Sequence, residues 1–438
     1  MNPPPTRGRL LPILGVGFGL AVTIGNAIGA GILRAPGDIA ANLPVAWLYL
    51  TAWAVGGLYA LLGAVQLSEL GAMIPRSGGQ YGFSRYALGE YPGFIVGWSD
   101  WISTAGTTAA VAIVIGEFSV ALFPGSSGRA AGIAAAVVII FAAAQWRGLR
   151  WGSGIQNATS LMKAAAFVAL AVAAFAIGGD AAAAETARTP ARGLALAAAF
   201  ILALQGIIYT YDGWSATIYF CEEVENPGRD IPRSMIGGVL SVIAIYLLVN
   251  LAFLAVLPAS RIAGEAFAAG TVAGVIFGAW GDPVFRVLTI VSMLSAVNSN
   301  HLMASRVLFA MSRDGLVSRR IAVVNEGGTP TMALLASTIV TIVFVLFGRT
   351  FERVITVLAF FFVANYTLSF LSVFVLRRRE PDTPRPYRAW GYPWTTGIAL
   401  SGSIAFLIGA IASDPDNSLI AVVVLAASYP TFLVLRRR

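Results

Sequence analysis

The chain has 438 residues, of which 57% are hydrophobic and 11% charged, with a mean hydropathy of +0.77. So little polar surface excludes a soluble globular domain and indicates an integral membrane protein. The net charge of +8 raises the question of a nucleic-acid partner, but the placement of the basic residues answers it otherwise.

A helical span takes roughly 20 apolar residues. About twelve such runs succeed one another, near 11–40, 43–68, 93–122, 130–145, 155–177, 194–220, 235–257, 283–311, 331–347, 353–376, 393–413 and 418–435. The alternating segments of an outer-membrane barrel are absent, and the first run does not read as a cleavable signal peptide. With the N-terminus inside, the cytoplasmic segments hold 19 Lys and Arg and the external loops 6, with Arg34, Lys163, Arg286 and Arg306 in or beside spans. That asymmetry is the positive-inside rule. It places a multi-pass protein in the cytoplasmic (inner) membrane with both termini in the cytoplasm, and it makes the basic excess an orientation signal with no role for nucleic acid.

Span one contains Gly25-Asn26-Ala27-Ile28-Gly29-Ala30-Gly31. Each glycine weakens a helix by up to about 1 kcal/mol relative to alanine, so the helix is expected to break there. Span three carries two intramembrane acids, Asp100 and Glu117, for which Arg306 and Arg286 are the candidate partners. Span five holds Lys163, the single lysine among 29 basic residues, in a stretch with no other charge. An ionisable group at that depth marks an ion or substrate pathway by default, and a desolvated lysine is able to lose its proton. The bland reading is a lysine that snorkels to an interface.

Span six contains Gln205-Gly206 and then Tyr209-Thr210-Tyr211-Asp212-Gly213-Trp214. Interruptions in two spans five helices apart suggest inverted repeats, approximately 11–177 and 194–376, within a transport core of residues 1–376; residues 377–438 supply a basic loop and helices eleven and twelve. Small-residue packing between helices is the alternative. Broken-helix geometry offers the amides of Gly29, Ala30 and Gly31 to a carboxylate. The carbonyls near Ala27, Tyr209 and Thr210 are offered to an ammonium. An α-amino acid carries both groups. Asp212 is either a contact for a cationic group or the cap of the second half-helix. Tyr209 and Trp214 flank the break as candidate gates, against packing or interface roles.

Cys221 is the only cysteine, expected to be a reduced, inert thiol, so no intramolecular disulfide is possible. Glu222, Glu223 and Glu225 with Arg229 and Arg233 read as a salt-bridge latch or as a solvated loop. His301, the single histidine, is either a packing hydrogen-bonder or a proton relay. Asp180–Gly193 reads as an external loop of low information. No metal-ligand cluster, nucleotide cradle, cofactor site or nucleophile–base pair is visible, so a membrane enzyme is disfavoured and catalytic residues are not expected.

These motifs resemble the amino acid–polyamine–organocation superfamily, most closely its L-type amino acid transporter branch. Gly29-Ala30-Gly31-Ile32 is similar to the first-span Gly-Ser-Gly-Ile motif. Glu69-Leu70-Gly71-Ala72 through Pro75-Arg76-Ser77-Gly78-Gly79-Gln80-Tyr81 resembles the segment after span two. Tyr211-Asp212-Gly213-Trp214 with Glu222-Glu223 and Asn226-Pro227 resembles the sixth-span motif and its exit. Ser305-Arg306 with Arg313-Asp314-Gly315 resembles the end of span eight, and Pro384-Arg385-Pro386-Tyr387 with Gly391-Tyr392-Pro393 the loop before span eleven. The resemblance implies an all-α membrane protein of twelve helices with the leucine-transporter fold. It implies that the ammonium of Lys163 takes the place of a sodium ion, linking Gly25 or Asn26 to span eight at Asn298 or Ser299, and that Tyr209 aligns with a lid. Two departures stand out: Ala30 replaces a serine, leaving carboxylate recognition to amides, and Asp212 replaces the glycine of the vertebrate L-type proteins.

The expected function is secondary active transport of amino acids, neutral L-amino acids first, by alternating access without sodium, as proton symporter or exchanger. A polyamine or cationic amino acid carrier, or a sensor that binds without transporting, are the alternatives. The lipid bilayer and a small-molecule amino acid are the expected partners. The resemblance implies that heteromeric relatives attach a heavy subunit at the loop 124–129; that loop lacks a cysteine here, so no disulfide-linked subunit is expected, and a monomer is compatible with the sequence.

Overall fold

The computed structural model describes residues 10–29, 31–123, 125, 128–177, 192–347, 351–413 and 415–436. Among the described residues the backbone is almost wholly helical, with two isolated bridges, Leu14 to Val224 and Val324 to Pro330, and no named strand. Span one is the pair Val16–Ala27 and Gly31–Asn42, bent by 43°. Spans two to five are Ala46–Met73, Glu90–Leu122, Ala130–Trp146 and Leu149–Ile177. Span six is Leu194–Tyr211, continued after a turn by a tighter 3₁₀ segment, Ala216–Glu223. Spans seven to twelve are Pro227–Val256, Gly281–Arg313, Thr331–Phe347, Phe351–Arg379, Trp394–Ser413 and Pro415–Arg436.

Among these, nine spans are long and apolar enough to cross a bilayer, and the bent pair makes a tenth. The remaining two, spans four and nine, have 17 residues each, which at about 1.5 Å per residue is the lower limit for spanning. Gln80–Leu88 after span two and Ala268–Phe277 before span eight are short helices that hydropathy alone does not distinguish from loop.

Burial sorts the spans. In span three 72% of the apolar window is buried inside the protein, against 22% in span twelve. Span three is therefore the central post, and span twelve turns most of its side chains outward, as a helix facing lipid does. The most extensive helix pair is spans three and eight. Gly106, Thr107, Thr108, Ala109 and Ala110 on the first and Ser295, Ala296, Asn298 and Ser299 on the second are all buried. Small residues let two backbones approach where there is no hydrophobic drive to press them together.

The end of the bundle where span one begins is held by polar ties. Leu14 donates its amide to Glu223 O (2.8 Å), and Glu225 returns its own to Leu14 O (2.9 Å). Glu69 on span two is buried and accepts from Arg377 Nε and Nη2 (2.7 and 2.6 Å), Arg385 Nε (3.1 Å) and the Ala389 amide (2.7 Å). Four donors on one carboxylate satisfy a charge that would otherwise be costly to bury, and they fasten the loop before span eleven.

Candidate functional site

The two breaks in spans one and six lie against each other because glycine permits it. The first half of span one ends at Ile28, where ψ turns to 82°. The first half of span six ends at Asp212 (φ −54°, ψ 147°) and is succeeded by Gly213 at φ +103°. A Cβ on Gly213 would sit 2.8 Å from the Ala27 amide nitrogen, and one on Gly31 would sit 2.6 Å from the Thr210 hydroxyl. At Gly213 both the backbone angle and the space exclude a side chain.

A cavity opens where the breaks meet, about 360 Å³ counted with its mouth. Span one contributes Asn26, Ala27, Gly29 and Gly31, and span six Tyr209, Thr210 and Asp212. Span three contributes Thr107 and Val111, and span eight Ala296 and Asn300. Six of the seven residues that the sequence assigned to substrate are thus brought together. The seventh, Ala30, lies outside the described residues, as does most of the loop 180–193.

The hydrogen bonding there differs from the expectation in two ways. The Gly29 amide, expected to be free, donates to Ala27 O at 2.8 Å, so among the described residues the open amides of the second half-helix begin at Gly31. The carbonyls expected to greet an ammonium already have a neighbour. The hydroxyl of Tyr246, buried on span seven, lies 2.6 Å from Ala27 O and 2.8 Å from Thr210 O. Tyr246 bridges the two breaks. Nothing in the sequence sets it apart from the packing aromatics around it, except the polar tip of its ring.

Lys163 does not snorkel. It is buried beneath the break of span one and donates to Gly25 O (2.6 Å) and Ile28 O (2.7 Å). Its ammonium holds both sides of the point where the helix leaves its regular path, which compensates two carbonyls that the break deprives of intrahelical partners. Its remaining N–H has no acceptor among the described residues. Lys163 also lines a second, smaller cavity with Thr289 and Ser292 of span eight. Asn298 and Ser299, expected to contact the lysine, take other partners. Asn298 meets Gln145 and Gln156, and the Ser299 hydroxyl donates to Asn26 Oδ1 at 3.0 Å. They hold spans four, five and one to span eight around the lysine. Gln156 and Ser160, two turns and one turn before Lys163, donate to Ala21 O, and no sequence motif marks either of them. Gly25 lets these two side chains approach, since a Cβ there would collide with both.

Asp212 is not a helix cap in the expected sense. The 3₁₀ segment starts after Ser215 with no side-chain cap, and the Asp212 carboxylate accepts from the Tyr366 hydroxyl on span ten. Trp214 does not line the cavity. It is buried against span two, where a Cβ on Gly63 would meet its ring at 2.6 Å, and it packs on Tyr366 with centroids 4.8 Å apart. Tyr209 does line it.

The charged residues take other partners than expected. Glu117 accepts from Arg34 at 2.8 Å, joining span three to the second half of span one. Arg286 pairs within its own helix to Asp282 at 2.6 Å. Asp100 accepts from the Tyr219 hydroxyl at 2.7 Å and has no arginine beside it among the described residues. Arg306 meets Glu223 at 2.9 Å with both side chains fully buried, and Arg313 pairs with Glu222. The expected latch to Arg229 and Arg233 therefore closes on span eight instead, while Arg229 pairs with neighbouring Asp230 at 2.7 Å. His301 Nε2 lies 2.9 Å from the Thr338 hydroxyl, between spans eight and nine, and the residue is absent from the cavity wall.

Comparison with known proteins shows the family to which the chain belongs. The profile of the amino acid permease family matches residues 19–432. The chain belongs to that family. This permease is an amino acid transporter and not an enzyme, and its twelve spans with paired breaks fit the leucine-transporter fold. A serine/threonine exchanger of Bacillus subtilis is 28% identical to the permease over 97% of each chain. The human b(0,+)-type amino acid transporter 1 is 26% identical over 88% of the permease and 80% of its own length. The small subunit 2 of the human large neutral amino acids transporter is 27% identical over 86% and 71%.

Proposed function

We propose that the permease exchanges small neutral L-amino acids across the cytoplasmic membrane by alternating access, without sodium, with both termini in the cytoplasm. The observation that carries this reading is the ammonium of Lys163 on Gly25 O and Ile28 O. A fixed cation at the break of span one leaves no need for a metal cation there. The zwitterion of the substrate is assigned to the amides that begin at Gly31 and to the carbonyl side of both breaks, with Tyr209 closing over it. The five-helix inverted repeats, 11–177 and 194–376, supply the two bodies that rock about this site. The name of the Bacillus subtilis relative favours exchange over symport. The buried state of Cys221 favours a permease that works without a disulfide-linked partner.

The test is counterflow in proteoliposomes. Purified permease is loaded with one unlabelled amino acid and assayed for uptake of another, with and without sodium and a pH gradient. Trans-stimulated uptake of neutral amino acids, indifferent to sodium, is expected. Binding of amino acids without any counterflow would make the protein a sensor and refute the proposal. A second reading, a carrier of cationic amino acids, is favoured by the placement of Asp212 on the cavity wall. It predicts that Asp212→Gly abolishes uptake of arginine and lysine only.

A further inference from the structure

Two polar groups on the wall of the central cavity have no hydrogen-bond partner shown among the described residues. Thr107 on span three lines the cavity, is 8% exposed, and its hydroxyl has no hydrogen-bond partner among the described residues. A helical threonine ordinarily returns its hydroxyl to the carbonyl one turn back, as Thr108 next to it does to Thr104 O at 2.9 Å. Thr107 makes no such bond. Asn300 on span eight presents the complementary group. Its Nδ2 donates to Asn26 Oδ1 (2.6 Å) and to Ala296 O (2.9 Å). A backbone carbonyl only accepts, so these bonds settle which end of the amide is nitrogen and use both of its hydrogens. What remains is Asn300 Oδ1, an acceptor on a residue that is 4% exposed and lines the cavity. Neighbouring Ser299 donates to the same Asn26 oxygen at 3.0 Å, so the amide is held in that orientation.

Among side-chain groups of that size a hydroxyl donates and accepts strongly at a single atom, whereas a thiol does both only weakly. We infer that the permease selects small amino acids with a side-chain hydroxyl, which donates to Asn300 Oδ1 and accepts from Thr107. The inference rests on the proposed amino acid exchange and narrows it. An alanine in the same place would leave both groups unmet, and a site built around such groups discriminates against the analogue that lacks the partner. A large apolar side chain meets the same mismatch and has little room.

The experiment compares serine with alanine, which differ by one oxygen, in proteoliposome exchange by the intact permease. The ratio of their kcat/KM values is expected to favour serine by about tenfold or more. In Thr107→Val, of equal shape, the ratio should fall to about threefold or less, while Thr107→Ser should keep it. Should Thr107→Val be inactive, Thr107→Ala against Thr107→Ser gives the same comparison. A parent ratio near one overturns the inference, and so does a ratio that survives loss of the hydroxyl. Failure of the exchange reading is a separate result: no amino acid would then show counterflow.

Discussion

Replacing Lys163 by methionine keeps most of the side-chain volume and removes the charge. The ammonium makes two charge-assisted hydrogen bonds, to Gly25 O and Ile28 O, each worth about 1.5–3 kcal/mol. About 3–6 kcal/mol of gross attraction is therefore lost. Against this, methionine is relieved of the cost of burying an ion, itself several kcal/mol, so the net effect on stability should lie within about 2 kcal/mol of zero. The conformational balance is affected differently. In the proposed cycle the two bonds are made only while the break of span one lies over span five, so their loss would act on one arrangement and not on its alternative. A difference of about 3 kcal/mol between arrangements shifts their ratio by roughly a hundredfold. Counterflow in proteoliposomes should fall at least about tenfold, while the melting midpoint in detergent moves little. Counterflow within twofold of the parent would refute the assignment of Lys163 to coupling. A loss of flux accompanied by collapse of the melting midpoint would show that the lysine holds the fold and not the cycle.

Tyr246→Phe removes the hydroxyl between Ala27 O and Thr210 O; leaving a buried carbonyl without its donor costs about 1–3 kcal/mol, and a drop in exchange of about fivefold or more is expected, measured as initial counterflow rate. Gly213→Ala meets Ala27 and Asn26 at φ +103° and should abolish exchange, with uptake near that of empty liposomes; activity close to that of the parent would mean that the breaks do not pack this closely. Arg306→Met strands the fully buried Glu223 and should cost about 3–5 kcal/mol, read as a lowered melting midpoint. The double variant Arg306→Met, Glu223→Leu removes both charges and should regain most of that loss; no recovery would show that the pair is not the source.

How much of this is legible in the sequence depends on whether a signal is local. Apolar runs report spans because a helix meets lipid through its own consecutive residues. The glycines of span one and Asp212-Gly213 report breaks because backbone freedom belongs to the residue itself. Lys163 stands out for its rarity. Partner choice is not local. Arg34 and Glu117 are 83 residues apart, as are Glu223 and Arg306, and no periodicity links them. Glu222 and Glu223 therefore look paired to Arg229 and Arg233, the nearest arginines in sequence, when packing supplies arginines from span eight. Trp214 shows the same limit, since its position beside the break says nothing of which way the ring turns. Tyr246 escapes a reading of the sequence because its significance comes from two carbonyls on other helices.

The paired amide–carbonyl exchange between Leu14 and the Glu223–Glu225 segment joins the start of span one to the exit of span six through the main chain. Because no side chain takes part, point substitutions cannot easily cut this seam, and both fractured helices are leashed at the same rim. Tilting either one tugs on the other, so that end of the carrier must unlatch as a unit or not at all.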